Sequence, residues 1–408
     1  MRQILDLHIH SPYSRACSPQ ITLQNIDRTC REKGVDIIAT GDFTHPVWFK
    51  KINTELEEIA KGAGLYKIKG SDGKIKFILS SEVSLIYKDK GKVRRIHLVI
   101  HAPHLKAAKE LNTYLDKKYN IRSDGRPILG IKAPEFVSLL LNINPNFLVY
   151  PAHIWTPWFS VFGSKSGFNS LEECFEEQVK NIYAIETGLS SDPEMNWRLS
   201  QLDKLTFLSS SDAHSLNNIA REATVMDISG KINYQKIYNI IRYKKQEKGN
   251  GLLYTIEFYP EEGMYHADGH RDCNFYSLPK KSKRLKNICP ACHKPLVIGV
   301  LNRVEELADR PFGYKPTDVP LFKKLVELDK IIKESLGIKS RQSVKVQEEY
   351  KRLLSSYGSE LKILLDLDLD LMSGESDKKI KEGIKKMREG KLLIKPGFDG
   401  QYGQIKIF

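Results

Sequence analysis

The sequence predicts an α/β fold in which β-α units form a barrel, followed by a small metal-binding domain and a C-terminal helical region. Across roughly the first 230 of the 408 residues, short apolar runs alternate with amphipathic segments, the pattern of repeated β-α units. Cysteines and histidines then cluster in residues 263–295, and from about residue 300 apolar residues recur with a helical period. We therefore predict domains at residues 1–245, 246–310 and 311–408, with a short hairpin at the C-terminal end.

Seven apolar runs are predicted to be the strands of the first domain. In order they are ILDL (4–7), VDIIAT (35–40), KFILSS (76–81), RRIHLVI (94–100), FLVYPA (147–152), NIYAI (181–185) and LTFLSSS (205–211). Side chains that bind metal ions lie at or near their C-terminal ends, namely His8, His10, Asp42, Glu82, His97, His101, His153, Glu186, Asp212 and His214. Because the C-terminal ends of strands in a parallel α/β barrel converge on one face, we expect these side chains to meet there.

The residue types in this set indicate the chemistry. Imidazole suits zinc, manganese and iron, and carboxylates suit harder ions. A cluster of both kinds can hold two or three ions that orient a water molecule, lower its pKa and stabilise the attacking and leaving oxygens of a phosphoester. The number of candidate ligands therefore favours phosphoryl chemistry.

These motifs resemble those of the PHP (polymerase and histidinol phosphatase) superfamily. The matching segments are Asp6–His10, Gly41-Asp42, Ser81-Glu82, His97, Ala152-His153 and Ser211–His214. The resemblance implies a distorted (β/α)7 barrel whose metal cluster hydrolyses phosphoesters. The ligands that it implies are His8, His10, Glu82, His97, His153, Asp212 and His214, with His8, His10, Asp212 and His214 also catalytic. We expect His101 to lie behind this set or to contact phosphate.

The sequence departs from the superfamily pattern at two places. Where the family has Thr-Asp-His, this chain has Thr40-Gly41-Asp42-Phe43-Thr44-His45, so Asp42 is the first candidate ligand and His45 the second. Ser14 and Arg15 occupy the region where the family commonly has an Asp. Coordination of one metal is therefore altered or lost. The role of Glu186 is left open: it is either a metal ligand or a residue that caps a strand.

The loop after His153 is rich in aromatic residues. Trp155, Trp158, Phe159 and Phe162 lie within eight positions, which is consistent with a plug over the barrel mouth. Aromatic faces beside a phosphodiester-cleaving centre can also stack a base that has left the duplex. Arg15 and Lys165 are candidate phosphate contacts.

A second metal site is predicted in the middle domain. His270 and Cys273, followed by Cys289 and Cys292, have the spacing of a four-ligand structural zinc module. His266 and His293 are alternatives for the histidine ligand. The loop between the two pairs carries Lys280, Lys281, Lys283, Arg284 and Lys286. A basic loop on a zinc module suits a phosphate backbone, although a solvated loop has the same composition.

Charge and composition restrict the classes of partner that the protein is expected to bind. The chain has 64 basic and 50 acidic residues, and the net charge of +14 favours a polyanion such as nucleic acid. With 41% hydrophobic and 28% charged residues it is a globular sequence, without an apolar run long enough for a membrane span. The N-terminus lacks the apolar core of a signal peptide, so we expect a cytoplasmic protein without a membrane partner.

Further motifs are similar to those of the endonuclease Q family within the superfamily. They are Arg303–Arg310, Gly41–Pro46, the aromatic loop at 155–162 and Lys395–Gly400. The resemblance implies a lesion-specific endonuclease that cuts DNA 5′ to uracil, hypoxanthine, xanthine or abasic sites. It implies zinc in the module and in the barrel, magnesium or manganese for cleavage, and replication or repair proteins as further partners. The alternatives are a small-molecule phosphoesterase of the histidinol phosphatase type and a metal-depleted nucleic-acid-binding protein.

Overall fold

The fold is given by a computed structural model that describes residues 1–244, 249–374 and 377–408. The strands are β1 (Arg2–Asp6), β2 (Ile37–Ala39), β3 (Leu56–Glu58), β4 (Leu65–Ile68), β5 (Lys76–Ile78), β6 (Ser80–Asp89), β7 (Lys92–His101), β8 (Ile128–Leu129), β9 (Leu148–Pro151), β10 (Ala184–Glu186), β11 (Thr206–Leu208), β12 (Ala223–Ile228), β13 (Asn250–Glu257), β14 (Asp268–His270), β15 (Phe275–Ser277), β16 (Leu321–Lys324), β17 (Leu393–Lys395) and β18 (Gln404–Lys406). The helices are α1 (Leu23–Lys33), α2 (Pro46–Glu55), α3 (Leu105–Lys118), α4 (Ala133–Ile143), α5 (Leu171–Phe175), α6 (Pro193–Asn196), α7 (Tyr234–Tyr243), α8 (Pro279–Arg284), α9 (Val300–Leu307), α10 (Leu328–Ser335), α11 (Val344–Tyr357), α12 (Glu360–Leu365) and α13 (Asp377–Arg388). The predicted α/β class is confirmed. Across the described ranges, no helix combines an apolar sequence with the length needed to cross a membrane.

The seven predicted strands correspond to β1, β2, β5, β7, β9, β10 and β11, and hydrogen bonds join them in a ring. The eight-stranded sheet has the order β16-β13-β12-β1-β2-β5-β4-β3, and the sheet β8-β6-β7-β9 follows it. The Ala102 amide donates to the Leu79 carbonyl at 3.2 Å, which links the end of β5 to β7. Beyond the paired strands β10 and β11, Asp212 N–H donates to the His8 carbonyl at 2.9 Å. The strand ends that carry the candidate ligands therefore face one another.

The strand that carries His97 differs from the prediction. β6 and β7 form a hairpin closed by Lys90 and Gly91, which have φ angles of 45° and 78°. Two residues with positive φ are typical of the tightest hairpin turn, and they reverse the chain. β7 is consequently antiparallel to β9, so our expectation of an all-parallel set was wrong. The reversal places His97 near the site and buries His101 deeper, where its Nε2 lies 3.0 Å from the Tyr150 hydroxyl.

The predicted domain boundary at residues 245 and 246 lies outside the described residues. Strand β13, which begins just after it, pairs with β12 in the large sheet, and β16 pairs with β13 on the other side. The C-terminal hairpin is present, since β17 and β18 are antiparallel partners. The division into three domains stays a prediction.

The C-terminal helices dock against the end of α1. Helix α1 ends at Gly34, whose φ is 90°. A Cβ atom at Gly34 would lie 2.4 Å from Ser359 Oγ, so the close approach requires glycine. Beside it, Lys33 Nζ lies 2.6 Å from the carboxylate of Glu360, and both side chains are buried. Glu360 also accepts the Leu328 amide at 3.0 Å. This shared carboxylate joins α1, α10 and α12.

A buried glutamate at the end of β13 predicts a pH dependence of stability. Glu257 accepts a hydrogen bond from Thr187 Oγ1 at 2.9 Å, and burial raises its pKa from 4.5 to about 8. Between these values the unfolded chain releases the proton that the folded chain keeps, so the free energy of unfolding falls as pH rises. We expect Glu257→Gln to flatten the decline of Tm between pH 4.5 and pH 8. The exposed Glu177→Gln variant is the control, and an unchanged slope in Glu257→Gln would contradict the assignment.

Candidate active site

Four predicted ligands form the first candidate metal group. His8, His10, Glu82 and Asp212 each offer a ligand atom, and these atoms lie within 4.8 Å of one another. His10 Nε2 is 3.0 Å from Asp212 Oδ1 and 3.3 Å from Glu82 Oε2. His8 Nε2 is 3.7 Å from the same Glu82 oxygen. The two histidines follow β1, Glu82 lies on β6 and Asp212 follows β11, so the tertiary fold assembles the group.

Glu82 also belongs to a second candidate group, with His97 and His153. Its Oε1 atom lies 2.8 Å from His97 Nδ1 and 3.1 Å from His153 Nε2. The two oxygens of one buried carboxylate therefore face two different groups. This arrangement is suited to a pair of ions bridged by a carboxylate.

Asp42 and Glu186, both offered as candidate ligands, lie behind the ligand histidines instead. Asp42 Oδ1 accepts from His10 Nδ1 at 3.0 Å, and Glu186 accepts from His8 Nδ1 at 3.1 Å. A carboxylate on Nδ1 fixes the tautomer that leaves the Nε2 lone pair free for a metal ion. The placement of Asp42 differs from our prediction of a ligand, because its second oxygen is taken by Ser11 and Ser14.

Two other predicted ligands, His214 and His45, belong to neither candidate metal group. The His214 ring packs 4.5 Å from that of His10, and its side chain is 29% exposed, but it is in neither candidate group. His45 lies away from the groups, since its Nε2–H donates to the Arg122 carbonyl at 3.0 Å and its ring stacks on Tyr13. The structure therefore does not bring His45 to the cluster as a ligand.

The electrostatics of the cluster favour ionised carboxylates but differ from one histidine to the next. Burial alone would raise the pKa of Glu82, but its contacts with His97 and Arg126 hold that pKa well below its usual range. Burial would likewise raise the pKa of Asp212, and the His10 ring 3.0 Å away outweighs it, so that this pKa lies well below its usual range. Burial lowers the pKa of His97 to about 4. Burial would lower the pKa of His8 and His10, but nearby carboxylates raise it well above its usual value. Metal ions bind ionised carboxylates and neutral imidazoles, so these two histidines would release a proton on binding.

The residues present fit metal ions. His8 Nε2, His10 Nε2 and Asp212 Oδ1 are buried, and among the described residues they have no hydrogen-bond partner. Polar atoms in that state are costly unless a ligand satisfies them. Asp212 has a φ of 47° and His153 a φ of 29°, an unfavourable backbone for non-glycine residues. Such strain is found at functional sites.

The aromatic loop divides between the core and the surface. Trp155 is fully buried, its Nε1–H donates to Asn196 Oδ1 at 2.8 Å, and its ring packs 4.9 Å from Phe162. Our prediction that Trp155 contacts a base is therefore wrong, because the side chain is enclosed by the core. Trp158 is 39% exposed, and the half-buried Phe159 packs 4.6 Å from the His97 ring.

The second predicted metal site is assembled as a four-ligand group. His270, Cys273, Cys289 and Cys292 have ligand atoms within 4.8 Å of one another. The alternative His266 is buried outside the group, and burial lowers its pKa to about 4. His293 is also outside the group. Four protein ligands leave no position for a substrate, so the geometry suits a structural zinc ion.

The predicted DNA-contacting basic residues are all exposed. Lys281, Lys283 and Arg284 lie on α8, between the two ligand pairs of the four-residue group, and Arg15 and Lys165 lie on loops. Exposure is compatible with contact to phosphate, and the contact itself stays a prediction.

Sequence reasoning missed Arg126, which lies within the cluster. Its Nη1 donates to Glu82 Oε2 at 3.0 Å, and the nearby charges of Glu82 and Asp212 offset its burial and raise its pKa. The residue precedes β8, far in sequence from every predicted ligand motif. No local pattern distinguishes it from the other arginines of the chain.

Comparisons with known proteins give this architecture a family. A family model described as the MJ0043 C-terminal domain matches residues 327–391. The chain is 32% identical over 257 residues to the uncharacterized protein MJ0043 of Methanocaldococcus jannaschii, which covers 62% of this chain and 31% of that protein. It is 27% identical over 421 residues to the uncharacterized protein YqxK of Bacillus subtilis, with 98% of each covered. The chain thus spans less than a third of the length of MJ0043.

A solved structure decides the family. The crystal structure of the lesion-specific endonuclease PfuEndoQ from Pyrococcus furiosus matches with a TM-score of 0.87 and 30% identity, over 100% of this chain and 95% of that chain. The chain belongs to the endonuclease Q family. A structure of endonuclease Q with a 27-mer duplex substrate, with an abasic lesion at the active site, matches with a TM-score of 0.85 and 30% identity, over 100% and 97% of the chains. The endonuclease Q resemblance predicted from the motifs is confirmed.

Proposed function

We propose that this chain is a metal-dependent DNA repair endonuclease that hydrolyses the phosphodiester 5′ to uracil, hypoxanthine, xanthine or an abasic site. The observation that carries the proposal is Glu82, a buried carboxylate whose two oxygens each face a separate group of metal-capable side chains. An endonuclease Q bound to a duplex with an abasic lesion at its active site supports the substrate. The ring of strands fits the distorted (β/α)7 barrel that the family implies.

The side chains divide the chemistry among them. Metal ions, when bound, lower the pKa of water and neutralise charge on phosphate oxygens. His8, His10, Glu82 and Asp212 would hold one ion, and Glu82, His97 and His153 another. Hydrolysis forms a bond from water oxygen to phosphorus and breaks a bridging P–O bond, and the leaving oxygen takes up a proton. His214, half-buried at the open edge, is placed to transfer that proton.

We assign metals by donor type. The sulfur-rich group around Cys289 suits zinc, and the mixed imidazole and carboxylate groups suit zinc, with magnesium or manganese supporting cleavage. The basic helix α8 is held by the zinc group, where its lysines can follow a phosphate backbone.

A cavity beside the His153 loop is suited to an extruded base. It has a volume of 270 Å³, and its lining includes Trp158, Tyr265, His266 and Tyr402. Trp158 packs edge-on against Tyr265, with ring centroids 5.6 Å apart. Deaminated bases pair poorly, so turning one out of the duplex costs less than for a normal base. An aromatic recess next to the metal groups would hold such a base while its 5′ phosphate is cut.

The Trp158→Ala variant tests this recess. We expect the affinity for a uracil-containing duplex to fall roughly 10-fold, because base–aromatic stacking is lost. The affinity for an abasic duplex, which has no base to stack at the lesion, should fall less. Fluorescence anisotropy without added metal measures both affinities, and Tyr243→Ala, an exposed tyrosine on α7, is the control. Equal losses on the two duplexes would contradict the base-binding role.

The proposed function is tested by cleavage. Labelled duplexes carrying uracil, hypoxanthine, xanthine or an abasic site are incubated with the protein and magnesium or manganese, and each cut is mapped. We expect a single cut 5′ to the lesion and none in undamaged DNA. Hydrolysis of small phosphomonoesters without any cut in these duplexes would favour a small-molecule phosphoesterase, and binding without a cut would favour a metal-depleted protein.

A further inference from the structure

The loop between α3 and β8 packs against both segments in which the sequence departs from the PHP pattern. Gly125 N–H donates to the Tyr13 carbonyl at 2.9 Å, next to Ser14. Thr44 Oγ1 donates to the Gly125 carbonyl at 3.3 Å, and His45 is bonded to the carbonyl of Arg122 at 3.0 Å. The loop is therefore attached to the two segments that carry the altered motif residues.

Gly125 fills the space between these segments. A Cβ atom there would lie 2.4 Å from Ser14 Oγ and 2.4 Å from Asp42 Oδ2, so this close approach requires glycine. Ser14 and Asp42 are themselves hydrogen-bonded at 2.8 Å. On this side of the cluster, among the described residues, protein atoms take up the room beside the position where the superfamily commonly has an aspartate.

The residue after Gly125 sends a positive charge into the cluster. Arg126 Nη1 donates to Glu82 Oε2 at 3.0 Å, the oxygen that also faces His8 and His10. The side chain is 23% exposed. A guanidinium has five N–H donors, and the bond to Glu82 uses one of them. Within the described ranges no other hydrogen bond of this guanidinium is found, so donors remain for a ligand that enters from the open face.

We propose that Arg126 is a built-in cation of the cluster that binds a nonbridging oxygen of the phosphate group. The Gly125-Arg126 loop packs on the side of the altered motif residues, and the guanidinium supplies positive charge there. Its planar fork matches phosphate oxygens and cannot lose its charge at working pH. As applied to DNA cleavage this rests on the proposed function, whereas the phosphate contact itself does not.

The first test uses inorganic phosphate as the probe. Binding to the metal-loaded protein is measured by calorimetry for the wild type, Arg126→Gln, Arg126→Lys and Arg122→Gln. Arg122 lies on the same loop, is 65% exposed and pairs with Asp116, so its loss is a matched control. We expect Arg126→Gln to raise the Kd about 10-fold, Arg126→Lys to raise it less, and Arg122→Gln to leave it unchanged. Tm and metal content should match the wild type.

The second test uses the abasic duplex under single-turnover conditions. We expect Arg126→Gln to slow cleavage roughly 100-fold, as when one preorganised donor to a phosphoryl or oxyanion group is removed. Replacing one nonbridging oxygen of the scissile phosphate with sulfur should slow cleavage by the wild type. The same replacement should slow cleavage by Arg126→Gln little further. This non-additivity reports a direct contact, which a purely structural role would not produce.

The outcomes separate the two proposals. A wild type that binds phosphate through Arg126 but cuts no lesion duplex would overturn the proposed function and leave the phosphate contact standing. Unchanged phosphate affinity in Arg126→Gln, no measurable phosphate binding by the wild type, or loss of metal together with affinity would overturn the role of Arg126. In the last case the arginine only holds Glu82 in place.

Discussion

Glu82→Gln is expected to reduce cleavage of an abasic duplex by roughly 10³-fold or more, because the variant changes a carboxylate that the His8 group and the His97 group share. The amide keeps the size of the side chain but removes its negative charge and replaces one ligand oxygen with NH2. Affinity for the same duplex should change little, since in the proposed function exposed basic residues outside the cluster supply most of the attraction to phosphate. Single-turnover cleavage and metal-free binding measure the two effects separately.

Two further variants make this expectation specific. The exposed Glu177→Gln variant makes the same chemical change away from the site and should cut like the wild type. Asp212→Ala removes a ligand of the first group only, so it should abolish cleavage while His97 and His153 retain their shared carboxylate. Normal nicking by Glu82→Gln with both metals still bound would place the reaction elsewhere in the protein.

Cys273→Ser is expected to lose the zinc ion proposed for the group of His270, Cys273, Cys289 and Cys292 and to loosen the segment that carries α8. Structural zinc sites contribute apparent binding free energies of about 10–16 kcal/mol in small zinc domains, so removal of one thiolate is costly. Because α8 carries Lys281, Lys283 and Arg284, we expect DNA affinity to fall by roughly 10-fold. Metal analysis, proteolysis within residues 263–300 and binding to duplex DNA measure these effects.

Cys17→Ser provides the matched control for this variant. Cys17 is also half-buried, and it belongs to none of the candidate metal groups. We expect it to keep its zinc and its protease resistance. If Cys273→Ser retained a full equivalent of zinc and bound DNA normally, the four-residue group would not be a metal site.

Local patterns predicted the parts of this protein that depend on residue type and spacing. The apolar runs marked all seven strands of the ring, because burial on both faces requires continuous apolar sequence. The Cys289-x2-Cys292 spacing predicted the group of His270, Cys273, Cys289 and Cys292, because short spacing brings ligands together within one turn. The motifs around His8 and Asp212 likewise marked the mouth of the ring.

The tertiary structure decided which way each side chain points and what lies next to it. The Lys90-Gly91 turn reversed the direction of β7, so that His97 lies near the site and His101 lies deeper in the protein. Asp42, a candidate ligand in the sequence, accepts a hydrogen bond from the His10 ring in the structure. Packing enclosed Trp155 in the core, whereas Trp158 and Phe159 of the same loop are exposed and half-buried.

The amino-acid sequence by itself determined the strands, the zinc-ligand spacing and most of the metal-capable residues. It could do so because backbone preference and short-range spacing are local properties. Only the folded chain placed Arg126 against Glu82, 44 positions apart. The physical reason is that the contact depends on how the loop between α3 and β8 packs on Tyr13 and Thr44, which belong to two segments distant from it in sequence.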